Sequence, residues 1–325
     1  MLAKGETDKA NNLAMKILSM APNDPEAAFL GSEVLSTNVP DWHFNLVRDE
    51  IRNAAFDAAL RRAIKPGMRV LDIGSGTGLL AMMAARAGAA EVFSCEMNSA
   101  VADAAKEIVA ANGFSDRIHV LHANSNQLDA DRDLRGRVDL IVSEIVSNDM
   151  LSQGVLATMD YAIANLLKPD GLMIPAKGSV KVALGFDPKL YEKRMTVADS
   201  FDLSAFNRLA EPCYSIRATN KHLQVLSESA DLFEFDFQSP NPEPAARKQQ
   251  TLVARGGPVN CVVQWIRLEM DAVGVYENRP GESTYSTWAI VAYPLSKQAE
   301  LKAGDKIVVN GSHSRDRLRV WASLD

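Results

Sequence analysis

VLDIGSGTGLL, residues 70–80, decides the fold: a short apolar strand runs into a glycine-rich turn, and the turn opens an apolar helix. Glycine has no Cβ, so the backbone of such a turn can approach a ligand closely. The spacing G-x-G-x-G differs from the G-x-G-x-x-G of dinucleotide-binding proteins. Asp72 would also repel a pyrophosphate, but it can accept hydrogen bonds from an ammonium group. The stretch therefore favours S-adenosyl-L-methionine over NAD, with a site built from Asp72, Gly74, Gly76 and Gly78.

Strands and helices alternate in the segment around this motif. Strands are predicted at residues 68–73, 91–95, 118–121, 138–142 and 172–175. Helices are predicted at residues 40–64, 79–87, 99–112 and 150–167. Strands that alternate with helices indicate a parallel sheet covered on both faces. We therefore expect the Rossmann-like α/β sheet of a class I methyltransferase.

Polar residues follow the next two predicted strands, at the carboxyl edge where such sheets bind ligands. Glu96 and Met97 end the second strand, and the Glu96 carboxylate can accept hydrogen bonds from both ribose hydroxyls. NAD and S-adenosyl-L-methionine share that contact, so Glu96 does not discriminate between them. Ser125 and Asn126 follow the third strand, where their side chains can reach the adenine edge. We assign all four residues to the cofactor site.

Two regions of different character flank the α/β segment. Residues 1–38 predict two helices around the proline-bearing turn at residues 21–25, a pattern that resembles a fragment of a tetratricopeptide repeat. One repeat does not bury its own apolar face, so this extension either packs on the rest of the protein or docks a partner. Residues 178–325 predict many strands and few long helices, typical of a barrel or sandwich. The predicted domains are thus a helical extension (1–38), a cofactor domain (39–177) and a β-barrel-like substrate and dimerisation domain (178–325).

Composition narrows the classes of protein that need consideration. The chain has 325 residues, a formal net charge of −6 and 47% hydrophobic residues, as expected of a globular protein. The negative charge gives no reason to expect nucleic-acid binding. No apolar run approaches the roughly 20 residues that span a membrane. Three cysteines without metal-ligand spacing favour a cytoplasmic protein without disulfides or a metal site.

Residues 41–325 resemble the protein arginine N-methyltransferases. HFNLVRDEIR, residues 43–52, is similar to the lid helix of that family, which implies that His43 lies over the cofactor and that Arg52 contacts its carboxylate. NGFSDRI (112–118) and LKPDGLMIP (167–175) also match. VQWIRLEMD, residues 263–271, most resembles the subgroup that only monomethylates arginine.

The acceptor loop departs from the family at one position. The family holds the substrate guanidinium between two glutamates on the loop after the fourth strand. Here those two positions are Glu144 and Gln153. Glu144 is also assigned to the border of the cofactor site. A guanidinium is a protonated fork of five donors, which two carboxylates orient best. Glutamine accepts one hydrogen bond and carries no charge. Asp149 is a nearby candidate to supply the missing carboxylate, and Thr287-Trp288 partly matches the family's Thr-His-Trp loop at the substrate.

Three functions are consistent with these residues. The resemblance implies an S-adenosyl-L-methionine-dependent enzyme that methylates arginine in a protein or peptide. The glutamine at position 153 leaves open a methyltransferase for free arginine, another small guanidine or a neutral acceptor. The third possible function is a cofactor-binding scaffold without catalysis. The intact cofactor motif argues against it. The resemblance also implies a homodimer formed through an arm near residues 201–212.

Overall fold

The computed structural model describes residues 4–37, 39, 42–239, 242, 244–281 and 286–323. The helices of these residues are α1 (Lys4–Met20), α2 (Pro25–Ser36), α3 (Trp42–Leu46), α4 (Glu50–Ala63), α5 (Leu79–Arg86), α6 (Ser99–Ala111), α7 (Ala130–Leu134) and α8 (Val155–Asn165). Within the described ranges, no helix combines the length and the apolar character that a membrane span requires.

A five-stranded parallel sheet forms the middle of the chain. Its strands are β1 (Arg69–Ile73), β2 (Glu91–Glu96), β3 (Ile118–His122), β4 (Val138–Ser143) and β5 (Leu167–Ile174). They lie in the order β3-β2-β1-β4-β5, and every neighbouring pair is parallel. The prediction of a class I methyltransferase sheet is confirmed. The order reverses between β1 and β4, and the crevice at such a switch point is where open α/β sheets bind ligands.

The central strands of this sheet are largely apolar because helices cover both of its faces. Val70, Leu71, Leu140, Ile141 and Val142 are completely buried. Continuous apolar runs are the pattern of parallel strands with two covered faces, whereas a half-exposed strand alternates. This core holds β1 and β4 rigidly, so the loops that follow them have fixed starting points.

Antiparallel sheets form the C-terminal part of the chain. Their strands are β6 (Lys177–Phe186), β7 (Val197–Ala198), β8 (Phe201–Asp202), β9 (Tyr214–Ile216), β10 (Gln224–Val225), β11 (Ala230–Asp236), β12 (Ala246–Val253), β13 (Gly257–Glu269), β14 (Val275–Glu277), β15 (Ile290–Leu301), β16 (Lys306–His313) and β17 (Leu318–Ser323). One sheet runs β10-β6-β13-β15-β9 with β11 and β14 paired beside it, and a second runs β12-β16-β17. The antiparallel domain is confirmed, while its closure into a barrel stays a prediction.

The N-terminal extension is a pair of helices, as its sequence predicts. Asp24 caps α2 by accepting hydrogen bonds from the backbone of Glu26 and Ala27, and Pro25 occupies the first turn. The helices pack closely, since a Cβ on Gly31 would lie 2.8 Å from the Leu18 side chain. The likeness to a tetratricopeptide repeat stays a prediction.

Two predicted helices have different bounds in the structure. The helix predicted at residues 40–64 is divided into α3 and α4, because Asp49 caps α4 by accepting a hydrogen bond from the Arg52 backbone. The helix predicted at residues 150–167 begins only at Val155. Gln153 lies before it with a φ of +74°, a left-handed conformation that a helix does not tolerate.

Candidate active site

A cavity of about 740 Å³ lies at the carboxyl edge of the parallel sheet. Most of the residues predicted for the site line it, which brings the cofactor and acceptor predictions together in one space. They are His43, Gly74, Gly76, Glu96, Met97, Ser125, Asn126, Glu144, Gln153, Thr287 and Trp288. The predicted residues that do not line the cavity are Arg52, Asp72, Gly78 and Asp149.

The glycine turn after β1 supplies the floor of the cavity. Gly74 and Ser75 each donate a backbone hydrogen bond to the Cys95 carbonyl at 3.0 Å, which ties the turn to β2. A Cβ on Gly74 would lie 2.7 Å from the Ile145 side chain. Gly76 has a φ of +51°, and a Cβ there would meet no protein atom within 4 Å because it would point into the open cavity. Gly78 has a different role, since it caps the start of α5.

Glu96 is held so that its carboxylate faces the cavity. Its Oε2 accepts a hydrogen bond from the Gly76 backbone at 3.1 Å, and its Oε1 accepts one from the Asn98 backbone at 2.9 Å. Each carboxylate oxygen can accept a second hydrogen bond. The carboxylate therefore has free acceptor capacity at the cavity, and its contact with the two ribose hydroxyls stays a prediction.

Asp72 lies behind the glycine turn and does not contribute to the cavity wall. The carboxylate is completely buried, and its Oδ2 accepts a hydrogen bond from Ser94 Oγ at 2.8 Å. Burial raises its pKa to about 7, and the charge of Glu96 adds to that rise. Its Oδ1 has no hydrogen-bond partner among the described residues. A direct contact with the cofactor, as the motif predicts, thus requires the ligand to reach behind the turn.

Arg52 and Glu144 form a buried ion pair beside the cavity. Arg52 Nη2 lies 2.7 Å from Glu144 Oε2, and the two side chains are 4% and 3% exposed. Burial raises the Glu144 pKa to about 7, although the charge of Arg52 acts in the opposite direction. Arg52 Nε has no hydrogen-bond partner among the described residues. The arginine assigned to the cofactor and the glutamate assigned to the substrate therefore contact each other.

The donors and acceptors around the cavity fit S-adenosyl-L-methionine. Buried polar atoms without partners are uncommon in native proteins and often mark a ligand's position. Arg52 Nε, buried beside the cavity, suits a carboxylate, and Asp72 Oδ1 suits an ammonium that reaches behind the glycine turn. The methionine half of the cofactor carries both groups, while Glu96 is predicted to bind its ribose.

The acceptor loop between β4 and α8 presents Glu144 and Gln153 to the cavity but not Asp149. The Asp149 carboxylate accepts hydrogen bonds from the hydroxyls of Ser147 and Ser152 and from the backbone of Leu151 and Ser152. Those contacts hold the loop's own turn together. Asp149 does not line the cavity in this structure, so its assignment as a substrate contact stays a prediction.

Contacts with the antiparallel domain hold the acceptor loop in place. Asn148 Oδ1 accepts a hydrogen bond from the Ala289 backbone at 2.8 Å, and the Asn148 carbonyl accepts one from Gln264 Nε2 at 3.0 Å. Trp288 is buried and donates from Nε1 to the Val146 carbonyl at 3.0 Å. Trp288 thus anchors the loop, and Thr287 lies beside it at the cavity wall, while the preceding Tyr285 is outside the described residues.

Asp49 is a residue that the sequence argument missed. It is completely buried, and its Oδ2 accepts hydrogen bonds from the Tyr276 hydroxyl and the Thr287 backbone, each at 3.0 Å. Its Oδ1 caps α4, three residues before Arg52. An aspartate before a helix is a capping signal, but its second set of partners lies more than 200 residues away in the sequence. Asp49 therefore joins the lid helix to the antiparallel domain.

Comparisons with known proteins identify related methyltransferases. Residues 57–177 match the family model described as Ribosomal protein L11 methyltransferase (PrmA). The chain is 37% identical over 325 residues to an Arginine N(omega)-methyltransferase of Streptomyces achromogenes subsp. streptozoticus, with 98% of this chain and 90% of that protein covered. It is 29% identical to Protein arginine N-methyltransferase 7 of Drosophila grimshawi, with 84% and 41% covered. The chain thus spans most of the bacterial relative and less than half of the fly protein.

Solved structures share the fold. A structure titled as the Trypanosoma brucei PRMT1 enzyme-prozyme heterotetrameric complex with AdoHcy superposes with a TM-score of 0.76 at 24% identity, covering 84% of this chain and 89% of that one. Protein Arginine Methyltransferase 10 of Arabidopsis thaliana superposes with a TM-score of 0.69 at 18% identity, with 82% and 86% covered. Both the α/β sheet and the antiparallel domain therefore have counterparts of known structure.

Proposed function

The chain belongs to the protein arginine N-methyltransferase family, which makes it an S-adenosyl-L-methionine-dependent methyltransferase, and on this premise we propose that it methylates a guanidinium nitrogen of arginine in a protein or peptide. The observation that carries the proposal is the position of Glu144. It is a buried carboxylate at the cavity wall, on the loop beside the predicted cofactor residues. A protonated guanidinium is the acceptor that such a group binds best.

The residues of the cavity would act mainly by orientation. S-adenosyl-L-methionine supplies the electrophilic methyl group when bound. Glu144 accepts hydrogen bonds from two guanidinium N–H groups, and Gln153 accepts one more, which fixes the plane of the acceptor. Aligning the nucleophilic nitrogen with the S–CH₃ bond in this way can lower the barrier by several kcal/mol, up to roughly 7–11.

Glu144 can also take the proton that methylation releases. The nitrogen that forms the new N–C bond carries an excess proton once the C–S bond has broken. A general base is most effective when its pKa lies close to the working pH. Burial raises the pKa of Glu144 to about 7, so the carboxylate can accept this proton and return it to solvent.

Two observations favour different forms of arginine. Among the described residues that line the cavity there is no lysine or arginine, so none would pair with the α-carboxylate of the free amino acid. That favours arginine within a peptide. The bacterial relative, matched over 98% of this chain, is named an Arginine N(omega)-methyltransferase, which favours free arginine as a second candidate.

Transfer of a labelled methyl group to arginine peptides and to free arginine, followed by mass spectrometry, tests the proposal. We expect methylated peptide and little methylated free arginine, with the first product being monomethylarginine. A higher kcat/KM for free arginine would select the second candidate. Labelling of neither substrate, with cofactor binding intact, would overturn arginine methylation.

We further expect a homodimer formed through the segment between β6 and β9. This segment contains the β7–β8 hairpin and exposes Phe201, Phe206 and Leu209, each more than 60% accessible. Large exposed apolar patches of this kind mark interaction sites. Light scattering should give a dimer for the native chain and a monomer for Phe201→Ser with Phe206→Ser. A native monomer at micromolar concentration would contradict the dimer.

A cytoplasmic location remains an expectation from the cysteine content.

A further inference from the structure

Helix α1 of the N-terminal extension forms part of the cavity wall. Thr7, Asp8 and Asn11 line the same space as Glu96 and the glycine turn. Residues three and four apart lie on one face of a helix, so these three side chains point in a common direction. Nothing in the cofactor motif assigns a role to this helix.

Helix α1 buries a polar side chain and exposes an apolar one, the opposite of a helix whose only role is packing. Asn11 is 1% exposed, whereas Leu13, on another face of the same helix, is 59% exposed. A helix that serves only to cover a core buries its leucines and exposes its asparagines. An asparagine amide has two N–H donors and an acceptor oxygen, so Asn11 can keep a partner within the protein and still bind a ligand. The inward face of α1 is therefore suited to a polar ligand.

A hydrogen bond places this face beside the ribose end of the cavity. Asp8 Oδ1 accepts from Ser99 Oγ at 2.9 Å. Ser99 begins α6, three residues after Glu96, the carboxylate predicted to bind the ribose hydroxyls. The inward face of α1 consequently lies near the carboxylate that is predicted to bind the ribose.

We propose that α1 is a component of the cofactor site, in which Asn11, with Thr7 beside it, hydrogen-bonds the adenosine half of S-adenosyl-L-methionine. An asparagine amide offers both a donor and an acceptor, as do the adenine edge and the ribose hydroxyls. The proposal rests on the S-adenosyl-L-methionine site described above. The inward face of the extension then binds the cofactor, independently of what its apolar outer face contacts.

Two adjacent asparagines provide a matched pair of variants. Asn11 is buried at the cavity, and Asn12 is exposed on the same helix. Asn11→Ala and Asn12→Ala make the same chemical change and alter helix propensity equally. Calorimetric titration of the full chain with S-adenosylhomocysteine should give a Kd raised roughly fivefold to tenfold for Asn11→Ala, the loss of about one hydrogen bond. Asn12→Ala should bind as the native chain does.

Further measurements separate ligand contact from a purely structural role. Adenosine alone should lose the same factor in Asn11→Ala, because the proposed contact is to that half of the molecule. The KM for the arginine substrate should stay unchanged. Saturating S-adenosylhomocysteine should slow amide hydrogen exchange in α1, and the arginine substrate alone should not. Should Asn11→Ala fold poorly, Thr7→Val, which keeps the side-chain shape, serves in its place.

The outcomes decide between the proposal and its alternatives. Equal Kd values for Asn11→Ala and Asn12→Ala, with a lower Tm for Asn11→Ala, would make Asn11 a structural residue and overturn the proposal. Unchanged exchange in α1 on ligand binding would do the same. Failure of the native chain to bind S-adenosylhomocysteine would instead refute the cofactor site on which the proposal rests.

Discussion

Arg52 Nη2 lies 2.7 Å from Glu144 Oε2, and both side chains are almost completely buried. The pair joins the start of the lid helix α4 to the loop that follows β4, across 92 residues of sequence. Both partners have a second use in the proposed reaction, since the cofactor carboxylate suits Arg52 and the substrate guanidinium suits Glu144. In the absence of ligands, the ion pair therefore lets each buried charge neutralise the other. When the cofactor and the substrate bind, their charged groups become additional partners of Arg52 and Glu144.

Removal of one partner of this pair should strongly destabilise the fold. Arg52→Met leaves Glu144 as an unpaired buried carboxylate, which typically costs about 3–5 kcal/mol. The loss should be smaller at pH 5.5 than at pH 8, because a carboxyl whose pKa is about 7 is mostly protonated at the lower pH. Urea unfolding at the two pH values measures both effects.

Arg62 provides the control for that experiment. It pairs with Asp271 at 2.8 Å, but its side chain is 41% exposed. Exposed pairs contribute about 0–1 kcal/mol. Arg62→Met should therefore change the free energy of unfolding little at either pH. An equal loss in the Arg52 and Arg62 variants would contradict a buried, unbalanced charge at Glu144.

Gly76 should be essential for cofactor binding, independent of any effect on folding. Gly76→Val places a side chain in the open cavity and should abolish binding of S-adenosylhomocysteine in a calorimetric titration. Gly67 also has a positive φ, of +88°, with nothing within 4 Å of a Cβ, but it does not line the cavity. Gly67→Val should thus impose comparable backbone strain and bind the ligand normally. Loss of binding in both variants would point to strain as the cause.

The charge of the acceptor site distinguishes an arginine substrate from a neutral one. Glu144→Gln should lower kcat by orders of magnitude because the guanidinium loses its charged partner. The same change leaves Arg52 as an unpaired buried charge and should lower the free energy of unfolding, so S-adenosylhomocysteine binding is measured on the folded variant to separate the two effects. Gln153→Glu should hold or raise the rate with arginine, since it restores paired carboxylates. With a neutral acceptor the added carboxylate would be desolvated without a partner, and the rate should fall. A rate that falls in Gln153→Glu and survives Glu144→Gln would exclude the arginine acceptor.

Stability should decline between about pH 4 and pH 7 because of Asp72. Burial raises its pKa from 3.8 to about 7, so the folded chain holds a proton there that the unfolded chain has released. Its contribution is fully present below pH 4 and is lost as the pH rises through about 7. Asp72→Asn should flatten the dependence of the unfolding free energy on pH from 5 to 8.

Asp133 serves as the comparison for this pH dependence. A hydrogen bond from Arg132 lowers the pKa of its carboxyl, so its linkage to stability falls below pH 4. Asp133→Asn should therefore keep the native slope between pH 5 and pH 8. A native slope in Asp72→Asn as well would show that Asp72 titrates normally in the folded protein.

Tyr276 should affect the acceptor site through Asp49. Its hydroxyl donates to Asp49 Oδ2, which also accepts from the Thr287 backbone at the cavity wall. Tyr276→Phe removes one donor and leaves the ring contact with Trp288. We expect the KM for the arginine substrate to rise while the Kd for S-adenosylhomocysteine stays constant. An increased Kd with an unchanged KM would place the effect at the cofactor instead.

Local sequence patterns determined the outline of this protein. The strand and glycine turn at residues 70–80, the alternation around them and the polar residues after β2 and β3 depend on contacts between neighbours in the chain. They therefore predicted the parallel sheet, the ligand edge and most of the cavity wall. The same kind of pattern predicted the antiparallel domain, but it did not predict the short strands within that domain.

Tertiary structure alone decided which polar groups meet. Asp72 lies behind the turn, Asp149 is occupied within its own loop, and Arg52 contacts Glu144. The sequence also gave no sign that Asn11 points inward while Leu13 points outward. A side chain's hydrogen-bond partners depend on how distant segments pack and on what that packing excludes from water. Spacing along the chain carries no record of either, because the free energy of a buried charge is set by all the atoms around it.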